Sequence, residues 1–187
     1  MREHYVLFSA PINEETANNF IGLLSKLAAQ KASRVVIGLN CIGGHIAAGV
    51  ALHNCMRAMP FKIVTHNIGN VDSIANVVFL AGDERYACKA TTFMFHGAAV
   101  NAGPHGHLEE KHLLERLDVV QSQHRRMSEL IAARTRLSIS LCMELFKHQT
   151  IRDAAWAMDN GLVDGIREFA VPLGSELHVF TFTSSQP

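Results

Sequence analysis

The stretch "SRVVIGLNCIGGHIAAGVALHNCMRAM", residues 33–59, decides the fold class of this chain. Its first part is a short apolar run with β-branched residues, which is typical of a fully buried strand. Gly43 and Gly44 then mark a sharp turn, and the apolar residues that follow have the spacing of a helix. A buried strand followed at once by a helix is the unit from which parallel sheets are built.

The same alternation of strand and helix occurs on both sides of this stretch. Residues 4–12, "HYVLFSAPI", predict a strand, and Asn13 is the predicted N-cap of the amphipathic helix that follows. Farther along, residues 61–69 predict a strand, residues 73–82 a helix that ends at a glycine, and residues 91–97 another strand. The chain is therefore expected to adopt an α/β fold with mainly parallel strands.

One long helix is predicted for residues 108–137, which contain neither proline nor glycine. Its apolar residues recur every three or four positions and form a narrow seam. The members of this seam are Leu113, Leu117, Val120, Met127 and Ile131, with His124 between them. Such a helix either projects from its domain toward a partner or lies on its own domain.

The remaining C-terminal part predicts shorter elements. Residues 140–148 and 151–161 are expected to be helices, and residues 162–169 a strand. The tail, residues 170–187, is expected to add a last edge strand. Because neither an internal repeat nor a linker interrupts the pattern, residues 1–187 are predicted to form a single domain.

Composition narrows the function classes. The 187 residues are 48% hydrophobic, with 17 Lys and Arg against 17 Asp and Glu, and no basic stripe interleaves with aromatic residues. Nucleic acid and membrane partners are therefore not expected, and the apolar runs are too short for a membrane span. Four scattered cysteines without a C-x-x-C pair predict reduced thiols in a cytoplasmic protein.

Three stretches at one edge of the predicted sheet carry groups that suit acyl transfer. Ser73 stands at a helix start, where its hydroxyl is a candidate nucleophile, and His96 leaves an apolar strand as a candidate base. The backbone N–H groups of Gly43 and Ile74 are candidate donors to an oxyanion. Taken singly, each feature also has an ordinary structural explanation as a helix cap, a hydrogen-bonded histidine or a turn.

The order of these motifs resembles the proteolytic subunit family of the ATP-dependent Clp protease, which has a crotonase-like fold. The resemblance rests on "NCIGGHIAAG", "GNVDSIANVVFLAG", "TTFMFHGA" and "AAWAMDNGLVDGI", which follow one another with similar spacing. It implies repeated β-β-α units with a projecting handle helix at residues 108–137. It also implies a serine endopeptidase that hydrolyses peptide bonds, with Ser73 as nucleophile, His96 as general base, and Gly43 and Ile74 as oxyanion-hole donors.

The resemblance further implies partners. The handle helix would join subunits into homo-oligomeric rings, and the substrate would be a peptide or an unfolded protein. Docking of an ATPase stays open, because the first predicted strand begins by Tyr5, close to the start of the sequence.

The acid of a catalytic triad is not evident. Counting back from the glycine of "GLVD" places the family's acid near Leu145 and Phe146, where no carboxylate stands. Three nearby side chains are candidates for a third member: Glu144, His148 and Asp153. Otherwise the site is a Ser-His dyad, or Lys89 serves as an alternative base.

Two other functions stay open at this point, a catalytically weak structural subunit of the Clp ring and an acyl-CoA enzyme of the crotonase type. Neither a cofactor nor a metal is predicted. A metal site formed by His105, His107 and His112 is left as an alternative, because polar loops often collect histidines without binding an ion.

Overall fold

A computed structural model describes residues 2–99 and 109–181. The described strands are β1 Glu3–Ser9, β2 Arg34–Cys41, β3 Lys62–Asp72, β4 Glu84–Ala87, β5 Thr92–Phe95, β6 Thr150–Asp153, β7 Gly165–Ile166 and β8 Glu176–Thr181. The described helices are α1 Glu14–Ala29, α2 Ile46–Arg57, α3 Ala75–Phe79, α4 Glu110–Ala132, α5 Ile139–Lys147 and α6 Ala154–Asp159.

The strands form one sheet in the order β6-β5-β3-β2-β1-β8, and β4 lies beside β3 and pairs with β7. All of the described pairings are parallel except that of β5 with β6, which is antiparallel. This confirms the predicted α/β fold with mainly parallel strands. In such a sheet the loops that follow the strands converge on one edge, where ligands usually bind.

The helix that follows β1 shows why the local sequence predicts its element well. The Asn13 side chain accepts a hydrogen bond from the Thr16 N–H at 2.8 Å, and the Thr16 hydroxyl accepts one from the Asn13 N–H. This reciprocal cap confirms Asn13 as the N-cap. The predicted apolar face of α1 is buried against the sheet, with Phe20, Leu24 and Leu27 at most 1% exposed.

The C-terminal part differs from its prediction in two elements, of which the strand predicted for residues 162–169 is reduced to the two-residue β7, Gly165–Ile166. Residues 150–153 belong to strand β6 rather than to a helix, and they pair with β5 in antiparallel register, Phe95 opposite Thr150. The physical reason is that β5 would otherwise leave its N–H and C=O groups unpaired, and this requirement is invisible in local periodicity. The predicted edge strand of the tail is present as β8, while residues 182–187 lie outside the described residues.

The long helix is shorter than predicted. It ends at Ala132, and Leu108 lies outside the described residues. Beyond its end, the guanidinium of Arg134 binds the carbonyl oxygens of Leu80 at 3.1 Å and Gly82 at 2.8 Å beside α3. Only the C-terminal third of α4 is buried, and in its N-terminal half Leu113, Leu114 and Leu117 are each more than half exposed.

The cysteines are all free thiols. Cys41 and Cys142 are buried, and burial raises the pKa of each to about 11, so neither is a ready nucleophile. In the described part of the chain, none of the helices combines the length and apolar character that crossing a bilayer requires.

Candidate active site

Ser73 sits on a strained turn between β3 and α3. Its φ of +56° lies in the left-handed region, which residues other than glycine rarely adopt. The Ser73 N–H donates to the Met94 carbonyl of β5 at 2.8 Å, so the turn is fixed to the neighbouring strand. A strained serine at a strand-to-helix turn is a recurring way of presenting a nucleophile.

Asn76 holds this turn from the first turn of α3. Its side-chain amide donates to the carbonyl oxygens of Ser73 at 3.0 Å and Met94 at 2.9 Å, and the residue is 1% exposed. Sequence reasoning missed this residue. The available signal was a single amide within an otherwise apolar helix, three positions after the serine.

His96 follows the last residue of β5 and lies in the same cavity wall as Ser73. Its Nδ1 is 3.1 Å from the Gly97 carbonyl oxygen, which can only accept a hydrogen bond. The proton of a neutral imidazole therefore belongs on Nδ1, and Nε2 retains the lone pair that a base requires. Within residues 2–99 and 109–181, no hydrogen bond joins Ser73 Oγ to His96.

The glycine turn after β2 is pressed against the serine. A Cβ at Gly43 would lie 2.6 Å from the Asp72 carbonyl oxygen and 2.8 Å from Ser73 Cβ, and the φ of Gly43 is +85°. Only glycine allows the two segments to approach so closely. The Gly43 N–H donates to Cys41 Sγ at 3.4 Å, a long hydrogen bond to a weak acceptor.

Ile74 is the first residue after the serine and is fully buried. Its side chain occupies the space over Gly49 of α2, where any Cβ would collide with it, so the backbone of the turn is held in place. Among the described residues, the Ile74 N–H has no acceptor. It is therefore free to donate to a group bound beside Ser73.

Ser73 and His96 line a cavity of about 640 Å³. Val119, Val120 and Gln123 of α4 form one wall, and the glycine turn forms another. Ile42, which stands at the rim, is 69% exposed. The cavity is thus apolar over much of its lining, and its polar lining residues include Ser73, His96, Gln123 and Gln149.

The three sequence candidates for a third catalytic residue do not reach this cavity. Glu144 and His148 bind each other at 3.0 Å on the exposed surface of α5. Asp153 caps α6 by accepting from the Trp156 N–H, and it pairs with Thr92 at the opposite end of β5 from His96. Lys89 precedes that same end and is exposed, so it is not a desolvated base.

Gln149 is a polar residue at the end of the strand pair that leads to His96. It directly precedes β6, whose last described pairing with β5 joins Phe95 and Thr150, the residues next to His96 and Gln149. It also lines the cavity, with a left-handed φ of +49°. Leu145 and Phe146, where the sequence placed the family's acid, are instead buried in α5.

Asp72, directly before Ser73, carries a buried carboxyl group. The residue is 5% exposed, and among the described residues its Oδ1 has no hydrogen-bond partner. Burial raises the pKa of Asp72, while the charge of a protonated His96 and the Met94 N–H lower it. The sequence signal was an aspartate in an apolar stretch directly before the serine, but no role could be assigned to it without the fold.

His124 connects α4 to the segment that carries His96. Its Nε2 accepts a hydrogen bond from the Ala98 N–H at 2.8 Å, and its ring stacks on Phe146. Burial lowers the pKa of His124, which keeps the ring neutral and able to accept. The long helix is therefore part of the support of the cavity.

The histidine cluster considered in the sequence has only one described member. His105 and His107 lie outside the described residues, and His112 is exposed on α4. The metal alternative at that cluster stays untested, and the expected absence of a metal and of a cofactor stays a prediction.

Together, the α/β sheet, the left-handed serine, the histidine on the next strand and the glycine backbone beside them define a domain of the serine hydrolase class. The sequence model of the Clp protease family matches residues 1–169. The chain belongs to the Clp protease family.

Relatives agree with this assignment. The chain is 27% identical to the chloroplastic ATP-dependent Clp protease proteolytic subunit 6 of Arabidopsis thaliana, with 89% of this chain and 61% of that protein covered. It is 25% identical to the ATP-dependent Clp protease proteolytic subunit 1 of Leifsonia xyli, and this match covers 91% of this chain and 86% of the Leifsonia protein. The solved structure of a ClpP1 mutant from Listeria monocytogenes has the same fold, with a TM-score of 0.76 and 22% sequence identity. The match covers 89% of this chain and 92% of the Listeria chain.

These findings confirm the resemblance to the Clp proteolytic subunits. The low identities make this chain a divergent member of the family. The family is one of serine peptidases, and the relatives are named as proteolytic subunits. An acyl-CoA enzyme and a purely structural subunit are not favoured.

Proposed function

We propose that this chain is a Clp-type serine endopeptidase subunit in which Ser73 is the nucleophile and His96 the general base. One observation carries the assignment: the strained Ser73 turn, His96 and the Gly43 backbone converge on a single cavity. The Ser73 N–H donates to the Met94 carbonyl, and the Asn76 amide donates to the Ser73 carbonyl, so the fold holds the serine in this unfavourable conformation. The strain is explained if the turn presents the hydroxyl for reaction.

The reaction begins when Ser73 Oγ attacks the carbonyl carbon of a peptide bond. His96 Nε2 takes the hydroxyl proton, because the Gly97 carbonyl holds the other imidazole proton on Nδ1. Collapse of the tetrahedral intermediate breaks the C–N bond, and His96 returns the proton to the leaving amine. Water then hydrolyses the acyl-serine with His96 again as the base.

The oxyanion of the intermediate is bound by the N–H groups of Ile74 and Gly43. Among the described residues the Ile74 N–H has no acceptor, whereas the Gly43 N–H must leave Cys41 Sγ. An oxyanion is a far stronger acceptor than a thiol sulfur, so the exchange is favourable once the intermediate forms. Catalytic hydrogen bonds are often poorly aligned before substrate binds.

We propose that Asp72 serves in place of the missing triad acid. Its carboxylate is buried near His96 and stabilises the imidazolium that forms during the reaction. Gln149, which lines the same cavity, supplies an amide rather than a charge. The arrangement is a Ser-His pair supported electrostatically from the nucleophile's own strand.

The substrate is an extended peptide or a segment of unfolded protein. The cavity is a groove with an apolar rim at Ile42 and an apolar wall at Val119 and Val120, which suits apolar side chains of a peptide. We place the reaction in the cytoplasm, although the Arabidopsis relative is described as chloroplastic.

We also propose that the chain works as one domain in a homo-oligomeric ring. A single sheet takes strands from both ends of the described chain, β1 and β8, which supports one domain. The N-terminal half of α4 exposes Leu113, Leu114 and Leu117, each more than half exposed, and this apolar face suits contact with another subunit. An ATPase partner is proposed only from the names of the ATP-dependent relatives.

The decisive experiment labels the full chain with a fluorophosphonate and maps the adduct by mass spectrometry. We expect one adduct on Ser73, its loss in Ser73→Ala, and labelling slowed by at least about 10²-fold in His96→Ala. Ser25→Ala, on the exposed face of α1, and His148→Ala are matched controls that label normally. Labelling of another serine, or a normal rate in His96→Ala, contradicts the assignment.

A further inference from the structure

Two histidines and a glutamate meet where the first and last described strands pair. Strands β1 and β8 are parallel, with His4 opposite Glu176 and Val6 opposite His178. Side chains two positions apart on a strand share a face, so His178 and Glu176 lie on the same side of β8. The fold thus brings together residues separated by more than 170 positions in the chain.

The donor atoms of this group have the spacing of metal ligands. His4 Nδ1 lies 3.1 Å from Glu176 Oε2 and 3.4 Å from His178 Nε2, and all three atoms lie within 4.8 Å of one another. Ligands about 2.0–2.1 Å from a tetrahedral zinc ion are separated by about 3.3–3.4 Å. The two shorter separations therefore approach the edge length of a zinc coordination sphere.

Hydrogen bonding alone explains the cluster less well. His4 Nδ1 faces both Glu176 Oε2 and His178 Nε2, but a single N–H cannot be directed fully at both. Among the described residues the other ring nitrogen of His4 has no partner, and the residue is only 1% exposed. A shared cation would hold the three donor atoms together without competition for one proton.

We propose that His4, Glu176 and His178 bind a divalent transition metal, with zinc as the best match to the ligand set. Two imidazoles and one carboxylate suit Zn²⁺, and three protein ligands leave a fourth position for water. The cluster lies near the start of β1, whereas Ser73 follows the end of β3, so the two sites occupy opposite edges of the sheet. The metal would clamp the edge strand β8 onto β1.

To test this proposal, the full chain is first treated with a chelator to remove metal. It is then titrated with Zn²⁺ in a calorimeter and, separately, with Co²⁺ while the absorbance spectrum is recorded. We expect one equivalent per chain, a tetrahedral Co²⁺ spectrum and a higher melting temperature with Zn²⁺. Glu176→Gln and His178→Ala should each weaken binding by at least about tenfold. Glu176 is 60% exposed, so Glu176→Gln should retain the circular dichroism spectrum of the folded chain.

Two controls separate this site from other histidines. His148→Ala disrupts an exposed His-Glu pair that offers only two ligands, and it should leave the stoichiometry unchanged. A combined variant of His105→Ala, His107→Ala and His112→Ala should also retain the site. The proposal is overturned if wild type binds no metal, if Glu176→Gln and His178→Ala bind normally, or if only the combined variant loses binding.

Discussion

Replacing Gly43 by alanine tests whether the glycine turn serves the reaction or only the fold. At a φ of +85°, a side chain costs about 1–2 kcal/mol of stability. The new Cβ would also lie 2.6 Å from the Asp72 carbonyl oxygen, and relieving such an overlap costs about 1–3 kcal/mol. We therefore expect Gly43→Ala to lower the free energy of unfolding by about 2–5 kcal/mol.

The same substitution should move the Gly43 N–H away from Ser73. Loss of one oxyanion donor typically slows acyl transfer by about 10²–10³-fold, so peptide hydrolysis by the folded fraction should fall by that factor. Stability is measured by urea unfolding, and activity is measured as kcat on a fluorogenic peptide.

Gly22→Ala is the matched control for this experiment. Gly22 lies within α1 with no atom near its missing Cβ, so alanine should stabilise the chain by about 0.5–1 kcal/mol and leave hydrolysis unchanged. The reasoning fails if folded Gly43→Ala hydrolyses peptide at the wild-type rate, or if it is as stable as Gly22→Ala.

Two further substitutions test the site and the surface. Burial raises the pKa of Asp72, so the folded state prefers its protonated form, and stability is lost as pH rises above about 4. Asp72→Asn should therefore be more stable than wild type between pH 4 and neutrality, and its peptide hydrolysis should fall by up to about 10⁴-fold. A stability difference that does not change with pH, or a normal rate of hydrolysis, contradicts the role of Asp72 as the catalytic acid. Leu117→Glu, on the exposed face of α4, should reduce the oligomer mass in light scattering with little change in unfolding midpoint, whereas Gln121→Glu on the same helix should not.

Local chemistry determined much of the fold. The reciprocal cap at Asn13 and the apolar face of α1 depend on residues within one or two turns, so the sequence predicts them directly. The order of the motifs around Gly43, Ser73 and His96 likewise predicted the family, which the comparison over residues 1–169 confirms. Their catalytic roles stay a proposal until the serine is labelled.

The partners of these residues were decided by tertiary structure. Gln149 and His96 line one cavity because β6 pairs with β5, and it is burial in the folded chain that raises the pKa of Asp72. Candidates chosen by proximity in sequence, such as Glu144 and Asp153, bind elsewhere.

The same distinction applies to the proposed metal site at the edge of the sheet. His4 is an ordinary residue of the first strand until β8 lies beside it, and nothing in the spacing of the sequence links it to Glu176 and His178. Local sequence determines helices and caps because their interactions are short in range. The left-handed Ser73 turn is held by Met94 of β5 and by the close approach of Gly43, so it belongs to the tertiary structure. Strand pairing joins distant segments through backbone hydrogen bonds that every residue can make, so only the folded chain decides which side chains meet.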